Sequence, residues 1–322
     1  MSSHTKQIIF FIGESGSGKT TLANQMVATQ SGFVRVNRDE LRIELAGEGA
    51  GLKGRGFEQL VARVEKERAD AALKAGKSVV VDNTHLSESS RLSWENFARH
   101  RAEFKTYRVM TPMDECIARD AKRTGKAHVG RAVIERQFLM SGRLPLDFSK
   151  KIVIVDIDGT LANHRDIRSP FDENKVLRDK PFQNVIDSVN ALYNAGNTIM
   201  IVSGRHSTCG DDTIKWLDEK GVKFHHIFMR HGWDSRHDYI VKEEILDELL
   251  KVVPAEQIVQ VIDDRVQVCQ QVWLKRGLPL TPVCQGEFIP LPEWTATHSP
   301  DCKFVYFKGF GRCPDCGAVE AF

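Results

Sequence analysis

One stretch decides the fold of the first part of the chain: residues 8–20, which read Ile-Ile-Phe-Phe-Ile-Gly-Glu-Ser-Gly-Ser-Gly-Lys-Thr. The apolar run predicts a buried strand, and the glycines after it predict a tight loop that opens into a helix at Lys19. This is the context in which a phosphate-binding P-loop occurs, because backbone N–H groups and a helix N-terminus can then wrap nucleotide phosphates. A glycine-rich turn that binds no nucleotide is the alternative. The predicted nucleotide-binding residues are Gly13, Ser15, Gly16, Ser17, Gly18, Lys19 and Thr20, with Thr20 on Mg²⁺.

Short apolar runs continue to alternate with amphipathic stretches along the chain. In the first part, the runs that read as strands are residues 8–12, 33–36, 78–81 and 104–109. After Pro145 the pattern starts again, with strands predicted at 152–155, 198–202 and 258–262. Such βαβ alternation is typical of parallel sheets covered by helices on both faces. The sequence therefore predicts two parallel-sheet α/β domains, 1–148 and 149–288, and a short C-terminal extension, 289–322.

Composition limits the class of protein. The 322 residues are 41% hydrophobic, which is enough for two domains with separate cores. The formal charge is only +2, from 45 basic and 43 acidic residues, so a nucleic-acid partner would have to be held by local basic patches. One such patch lies between Arg99 and Arg131, although a solvated helix face would look the same.

No segment resembles a signal peptide or a membrane span, because residues 8–12 are too short an apolar run. We therefore expect a cytoplasmic protein that binds no membrane. The chain has seven cysteines, an odd number, which argues against a disulfide framework.

Polar residues follow the second predicted strand, where residues 37–42 read Asn-Arg-Asp-Glu-Leu-Arg. The carboxyl edge of a parallel sheet carries the ligands. Asp39 at that edge can accept the proton of an attacking hydroxyl group, and Arg42, one helical turn away, can hold an acceptor phosphate. Alone, Asp39 is more often a helix N-cap than a base, so both interpretations stay open.

Two further sets of residues belong to the same predicted centre. Asp82 and Thr84 come directly after the strand that ends at Val81, and we expect them to bind substrate. Arg119 and Arg123 are four residues apart on one helix face, where they can close over the transferring phosphoryl group and bind the nucleotide. Ordinary surface arginines are the alternative for that pair.

A second chemical centre begins at residues 156–160, Asp-Ile-Asp-Gly-Thr, directly after a strand. Asp156 and Asp158 lie two residues apart and so point to the same side of an extended strand end. Asp156 can attack phosphorus to form an aspartyl phosphate, while Asp158 can protonate the leaving oxygen and then activate water. Mg²⁺, which prefers hard oxygen ligands, would relieve their repulsion. A bare pair could also be a structural cap or an incidental metal site.

Later positions complete this second pattern in order. Ser203 ends a predicted strand and can bind the phosphoryl group, and Lys242 opens a predicted helix and can neutralise it. Asp263 and Asp264 end the strand 258–262 and complete the Mg²⁺ site, although Asp264 alone would suit a turn as well. The pattern resembles the haloacid dehalogenase (HAD)-type phosphatases. Its predicted Mg²⁺ ligands are Asp156, Asp158, Asp263 and Asp264.

Finer motifs resemble the T-even phage-type polynucleotide kinase-phosphatases over about residues 7–288. The matching segments are 13–20, 37–42, 82–84, 91–94 and 122–123 in the first domain, and 168–172, 203–205, 230–244 and 262–265 in the second. The resemblance implies a P-loop kinase that phosphorylates 5′-hydroxyl ends with ATP, followed by a HAD-type, Rossmann-like phosphatase that removes 3′-phosphates.

The resemblance also implies roles for individual residues. Asp39, Lys19 and Arg123 would act in phosphoryl transfer, and Arg42 would grip the phosphate 3′ of the acceptor nucleoside. Arg168, Arg205 and Arg230 would bind the substrate phosphate or the flanking backbone, although each alone could be a surface salt-bridge partner. A phage-like origin would place the protein in the host cytoplasm and suggests a role in RNA repair.

The C-terminal extension lies beyond the resemblance. His298 and Cys302 form one His-x₃-Cys pair, and Cys313 and Cys316 form a Cys-x₂-Cys pair. Together they could bind Zn²⁺ tetrahedrally, and free thiols in a loosely ordered extension are the alternative.

The preferred function from sequence is therefore end healing of RNA or DNA, with nucleic-acid ends and an NTP as partners. A fusion of a small-molecule kinase with a metabolite phosphatase is the enzymatic alternative, and a nucleotide-binding switch or scaffold is the third hypothesis. Both predicted centres retain acid, base and metal residues, which argues against the third. The sequence leaves the preference between RNA and DNA, the preferred NTP and a homo-oligomeric state open.

Overall fold

The structure is a computed structural model that describes residues 5–47, 55–165, 167–169, 172–232 and 234–297, together with the backbone of three short strands after residue 304. The chain divides into two compact units, Met1–Val129 and Gly130–Phe322.

The first unit contains a four-stranded parallel sheet in the order β2-β3-β1-β4. Its strands are β1 (Gln7–Ile12), β2 (Phe33–Val36), β3 (Ser78–Asp82) and β4 (Glu103–Arg108). Its helices are α1 (Lys19–Thr29), α2 (Arg38–Gly47), α3 (Arg55–Lys74), α4 (Glu88–Ala98) and α5 (Met113–Asp120), with a 3₁₀ turn at Gly125–Ala127.

Apolar side chains bury the two central strands of this sheet. Ile8 and Phe10 of β1 pack with Val79 and Val81 of β3 and with Trp94 of α4, and all five are fully buried. Such β-branched and aromatic strands, buried on both faces, are what a parallel sheet requires. The polar residues that follow each strand are therefore held at one rigid edge.

The second unit contains a six-stranded sheet in the order β12-β11-β10-β5-β8-β9, parallel except for the β12 edge. The six strands of this sheet are β5 (Ile152–Val155), β8 (Thr198–His206), β9 (His226–Arg230), β10 (Ile258–Asp263), β11 (Leu280–Cys284) and β12 (Glu287–Phe288). A separate antiparallel pair consists of β6 (Ala162–Asn163) and β7 (Lys180–Pro181).

Helices cover this second sheet. They are α6 (Arg131–Met140), α7 (Gln183–Asn194), α8 (Gly210–Glu219), α9 (Asp238–Leu250), α10 (Val266–Val268, continued by a π-helix at Cys269–Leu274) and α11 (Leu291–Thr297). Short 3₁₀ turns lie at Glu173–Arg178, Ser207–Cys209 and Ala255–Gln257. Three strands of the extension, β13 (Val305–Phe307), β14 (Phe310–Arg312) and β15 (Val319–Ala321), form an antiparallel sheet.

The predicted fold class, two parallel-sheet α/β domains, is confirmed. By contacts the two units divide between Val129 and Gly130, because α6 packs against β9 of the second sheet. Glu135 of α6, fully buried, accepts the backbone N–H of Ile227 at 2.6 Å and so ties the helix to that edge strand. The domain limits that the sequence suggested, 1–148, 149–288 and 289–322, stay predictions.

No helix in the described part of the chain is both long enough and apolar enough to cross a membrane. The four predicted zinc ligands of the extension, His298, Cys302, Cys313 and Cys316, lie outside the described residues.

Candidate active sites

The loop after β1 has the shape of a phosphate cradle. Gly16 (φ +80°) and Gly18 (φ +98°) adopt left-handed backbone conformations, and a Cβ at Gly16 would overlap the backbone of Cys116. Lys19 points back into the loop, where its Nζ donates to the Glu14 carbonyl at 2.7 Å and to Ser17 Oγ at 3.3 Å. Burial lowers the pKa of Lys19 to about 8. The ammonium group is thus partly desolvated and close to where a phosphate would sit.

Thr20 opens helix α1 beside the end of β3. Its Oγ1 donates to Asp82 Oδ1 at 3.3 Å, and Asp82 is 1% exposed. A hydroxyl group and a buried carboxylate at a helix N-terminus are hard oxygen ligands of the kind that Mg²⁺ takes beside a nucleotide. Thr20 and Asp82 therefore fit a Mg²⁺ ion, which would supply charge neutralisation on the donor phosphates.

The acceptor side is the start of helix α2. Asn37 Oδ1 accepts the backbone N–H groups of Asp39 at 2.9 Å and Glu40 at 3.0 Å, so Asn37 is the N-cap. The alternative in which Asp39 is the cap is therefore wrong. The Asp39 side chain is 81% exposed and accepts a hydrogen bond from Arg42 Nη1 at 2.6 Å. Asp39 is free to face a substrate.

Arg42 is held by two carboxylates. Beyond its bond to Asp39, it donates to both oxygens of Glu58, at 2.9 and 2.8 Å. The hydrogen bonds to Glu58 raise the pKa of Arg42. The guanidinium group is therefore held in a fixed place beside Asp39, where its remaining N–H groups can pair with a phosphate.

Arg119 and Arg123, which the sequence predicts to close over the transferring phosphoryl group, have different partners. Arg119 Nη1 donates to the carbonyl oxygens of Gly16 at 3.4 Å and Ser17 at 3.3 Å, so it lies against the P-loop. Arg123 donates to Asp120 Oδ1 at 3.4 Å and to the Ala127 carbonyl at 3.5 Å. The structure thus brings Arg119 to the nucleotide loop, while Arg123 is turned towards Asp120. Thr84 contributes its carbonyl, which accepts the Gly13 N–H at 3.2 Å.

In the second unit, a lysine lies inside a group of carboxylates at the ends of neighbouring strands. Lys242 is fully buried, and its Nζ lies 2.8 Å from Asp156 Oδ1, 2.9 Å from Asp263 Oδ2 and 3.5 Å from Asp238 Oδ2. Burial alone would lower the pKa of Lys242, but these carboxylates raise it well above its ordinary value. Lys242 lies one turn inside α9, which begins at Asp238 rather than at the lysine.

Three neighbouring carboxylates near Lys242 suit a divalent cation. Single oxygens of Asp156, Asp263 and Asp264 all lie within 4.8 Å of one another. Burial, and then the charge of Asp263, raises the pKa of Asp264 to about 7. Gly159 (φ +87°) makes room, because a Cβ there would overlap the Asp264 carboxylate. The residues therefore fit Mg²⁺, which would neutralise the carboxylates and a bound phosphate.

Asp158 lies apart from that set, among arginines. Its Oδ1 accepts from Arg168 Nη2 and Arg205 Nη2, both at 2.7 Å, and Oδ2 accepts from Arg205 Nε at 3.0 Å. Burial acts to raise the pKa of Asp158, but the two arginines hold it well below its ordinary value. Both arginine side chains are at most 1% exposed, so they are not surface salt-bridge partners. The assignment of Asp158 as a metal ligand stays a prediction.

Ser203 and Arg230 complete the second centre. Ser203 is fully buried and lies within β8, which continues to His206. The Ser203 Oγ accepts the Arg205 N–H at 3.3 Å. Arg230 donates to the Gly204 carbonyl at 2.7 Å and to Asp238 Oδ1 at 3.3 Å. Gly204 is required at this point, because a Cβ there would overlap the Asp238 carboxylate.

Comparison with protein families agrees with this geometry. Residues 150–288 match the family model described as the phosphatase domain of polynucleotide kinase PNKP, and residues 8–140 match a model described as an AAA domain. The chain thus combines a segment similar to the phosphatase domain of polynucleotide kinase PNKP with a segment similar to an AAA domain. The carboxylate centre lies in the first of these segments, and the P-loop centre lies in the second.

Two proteins that are similar to this chain carry related names. A protein of Autographa californica nuclear polyhedrosis virus, provisionally named bifunctional polynucleotide kinase/RNA ligase, is 28% identical over 298 residues, covering 85% of this chain and 42% of the viral protein. The bifunctional polynucleotide phosphatase/kinase of Schizosaccharomyces pombe is 34% identical over 97 residues, covering 30% of this chain and 19% of the yeast protein. The chain thus spans less than half the length of either relative.

A solved structure gives a similar match. A chain in the structure of the Pnkp1/Rnl/Hen1 RNA repair complex is 25% identical, with a TM-score of 0.39 and coverage of 87% of this chain and 96% of that chain.

Two buried carboxylates beside these centres were not singled out from the sequence. Glu65, fully buried, accepts from Arg38 Nε at 2.8 Å and Asn83 Nδ2 at 2.5 Å behind the acceptor helix. Asp179, 2% exposed, accepts from Arg168 Nε at 2.8 Å and Arg205 Nη2 at 2.7 Å. Both carboxylates orient arginines, and only a fold that brings distant segments together reveals such a role.

Proposed function

We propose that the chain is a bifunctional end-healing enzyme. It transfers the γ-phosphate of ATP to 5′-hydroxyl ends of RNA or DNA, and it removes 3′-phosphate or 2′,3′-cyclic phosphate ends. The observation that carries the proposal is the presence in one chain of a P-loop, of the exposed pair Asp39 and Arg42 in the same unit, and of a carboxylate centre in a segment that matches the phosphatase domain of polynucleotide kinase PNKP.

In the kinase step, the 5′-oxygen attacks the γ-phosphorus, and the bond to the β,γ-bridging oxygen breaks so that ADP leaves. Asp39 takes the proton of the attacking hydroxyl group, since its carboxylate is exposed and carries no buried partner. Arg42 holds the phosphate on the 3′ side of the acceptor nucleoside, and Lys19, Arg119 and Arg123 surround the donor phosphates.

In the phosphatase step, an Asp156 oxygen attacks the phosphorus of the 3′-phosphate, and the bond from phosphorus to O3′ breaks. Asp158 gives its proton to O3′, then takes a proton from the water that hydrolyses the aspartyl phosphate. Lys242 and Ser203 hold the phosphoryl oxygens.

Asp158 must gain a proton before it can give one. The guanidinium groups of Arg168 and Arg205 keep it ionised in the structure described above. A substrate phosphate that pairs with both arginines would take over their hydrogen bonds, and the pKa of Asp158 would then rise. Substrate binding thus prepares the acid.

End labelling tests the proposal directly. A 5′-hydroxyl oligonucleotide that ends in a 3′-phosphate is incubated with γ-labelled ATP and Mg²⁺, and 5′ label and released phosphate are measured together. We expect both products, from RNA or from DNA. Turnover of nucleosides and sugar phosphates, with both oligonucleotide ends unchanged, would favour the metabolite kinase-phosphatase fusion instead.

A further inference from the structure

One more arginine of the first unit, Arg35, touches the proposed kinase centre and has no part in the steps above. Arg35 lies in β2, paired in register with Val80 of β3, and its side chain is 16% exposed. Its Nη1 donates to Asp82 Oδ2 at 2.7 Å, and its Nη2 pairs with Glu40. A charge this buried is costly unless it is paired, so the bond to Asp82 fixes where the guanidinium group lies.

The carboxylate that Arg35 holds joins the donor side to the acceptor side. Asp82 Oδ1 accepts from Thr20, which opens the P-loop helix. Asp82 Oδ2 accepts from Asn37 Nδ2 at 3.2 Å as well as from Arg35, and the Asp82 carbonyl accepts from the same Asn37 nitrogen at 2.6 Å. Asn37 in turn caps the helix that carries Asp39. The contacts from Thr20 to Asp82, from Asp82 to Asn37 and from Asn37 to the Asp39 N–H therefore connect the donor loop to the proposed base.

Arg35 supplies the charge in this connection. Among the described residues, it is the cation within ion-pair distance of Asp82, whose other side-chain bonds come from neutral groups. The contact to Glu40 is different, because Glu40 is 63% exposed and such pairs contribute little. Any effect of Arg35 should therefore pass through Asp82 rather than through Glu40.

We infer that Arg35 is a positioning residue of the kinase centre. It holds Asp82 Oδ2 so that Oδ1 stays on Thr20 and Asn37 stays over α2, and the donor phosphates and Asp39 thereby keep one fixed separation. This inference rests on the proposed kinase function. Nucleotide binding itself is carried by the loop backbone and Lys19, so loss of Arg35 should affect kcat more than the KM for ATP.

The test uses the full chain with Arg35→Gln, the conservative Arg35→Lys, and Glu40→Gln as a matched control that removes only the exposed contact. Misplacement of reacting groups by about 1 Å costs on the order of 100-fold. We expect Arg35→Gln to lower kcat for a 5′-hydroxyl oligonucleotide by roughly 10- to 100-fold, with the KM for ATP within about threefold. Arg35→Lys should fall between, and Glu40→Gln should stay within about twofold.

Hydrogen exchange supplies a readout that needs no substrate. In Arg35→Gln the amides of residues 37–42 should exchange faster while those of β1 stay protected, and Glu40→Gln should change neither. If the amides of β1 also lose protection in Arg35→Gln, that variant is not properly folded. The same measurements of kcat and of exchange are then made on Arg35→Lys. A folded variant with kcat within twofold of wild type overturns the inference, as does a raised KM for ATP with kcat intact.

The two proposals fail separately. If the wild-type chain labels no 5′-hydroxyl end, the proposed function is wrong. The inference about Arg35 is then tested only by the rate of hydrogen exchange at residues 37–42. Unchanged exchange there in Arg35→Gln would then overturn the inference.

Discussion

The lysine inside the carboxylate cluster should dominate the stability of the second unit. Lys242→Met removes the only charge that lies within 3.5 Å of Asp156, Asp238 and Asp263 at once, among the described residues. Breaking a buried ion pair by removal of one partner costs about 3–5 kcal/mol. We therefore expect Lys242→Met, measured with a chelator present, to lower the free energy of unfolding by about that amount.

The pH dependence of this loss follows from the pKa shifts. The pKa of Lys242 is raised, so its stabilisation is fully present below the ordinary lysine pKa and is lost only as pH rises through the folded value. The pKa of Asp264 is raised to about 7, so its protonation stabilises the folded form below its unfolded pKa and ceases to do so as pH rises through about 7. A protonated Asp264 needs no cation beside it, whereas an ionised one does. The loss of free energy of unfolding that Lys242→Met causes should therefore be smaller at pH 5 than at pH 8.

Thermal unfolding followed by tryptophan emission measures the effect. The buried Trp216, Trp273 and Trp294 lie in the second unit. At about 2–4 °C per kcal/mol, Lys242→Met should melt roughly 6–20 °C below wild type. The control is Lys215→Met, since Lys215 is 61% exposed and its pairing with Glu219 should be worth less than about 1 kcal/mol. If Lys242→Met were as stable as Lys215→Met, the electrostatic account of the cluster would be refuted.

Three other predictions test separate parts of the chain. Burial lowers the pKa of His85 to about 2, so its stabilising effect is complete above pH 6.5 and is lost as pH falls. Asparagine suits the positive φ at this position, so His85→Asn should fold. Between pH 7.5 and 5, the first unit of this variant should lose about 2 kcal/mol less free energy of unfolding than wild type, measured by pulsed hydrogen exchange of β1 after equilibration in urea. An equal loss in both proteins would contradict a neutral buried imidazole. If Arg42 binds the acceptor phosphate, as we propose, a nucleoside 3′-monophosphate should be a much better acceptor than the plain nucleoside, and equal rates would show that no such phosphate is bound. If the four cysteine and histidine residues of the extension bind zinc, protein purified without chelator should hold about one equivalent, whereas absent metal with reactive thiols in the extension would contradict it.

Much of the fold was predictable because buried parallel strands leave clear apolar runs. The runs 152–155 and 33–36 coincide with β5 and β2, and the loop glycines adopt the left-handed conformations that only glycine accepts easily. Strands β9 and β11 were not predicted, since the apolar run of β9 spans only residues 227–229 and Pro282 interrupts the apolar pattern of β11.

The proposed catalytic carboxylates could be picked out from the sequence because they directly follow predicted strands, and their roles stay predictions. The residues that hold the neighbouring arginines and Asp82 in place could not be picked out. Arg35 sits within an apolar run, and Glu65 and Asp179 lie in a helix and a loop without a distinctive motif. Their partners are 27 and 11 residues away along the chain, and only the folded structure brings them together.

The central claim is that two independent centres act in one chain, and both assays on two carboxamide variants test it most directly. Asp39→Asn removes the proposed proton acceptor of the kinase step and nearly keeps the side chain's shape, and Asp156→Asn removes the proposed nucleophile of the phosphatase step. Each should lose its own activity by several orders of magnitude, roughly 4 kcal/mol or more of transition-state stabilisation, while retaining the other. Thermal melts confirm that both variants are folded. If either folded variant lost both activities, the chain would contain one shared centre, and the two-centre account would be wrong.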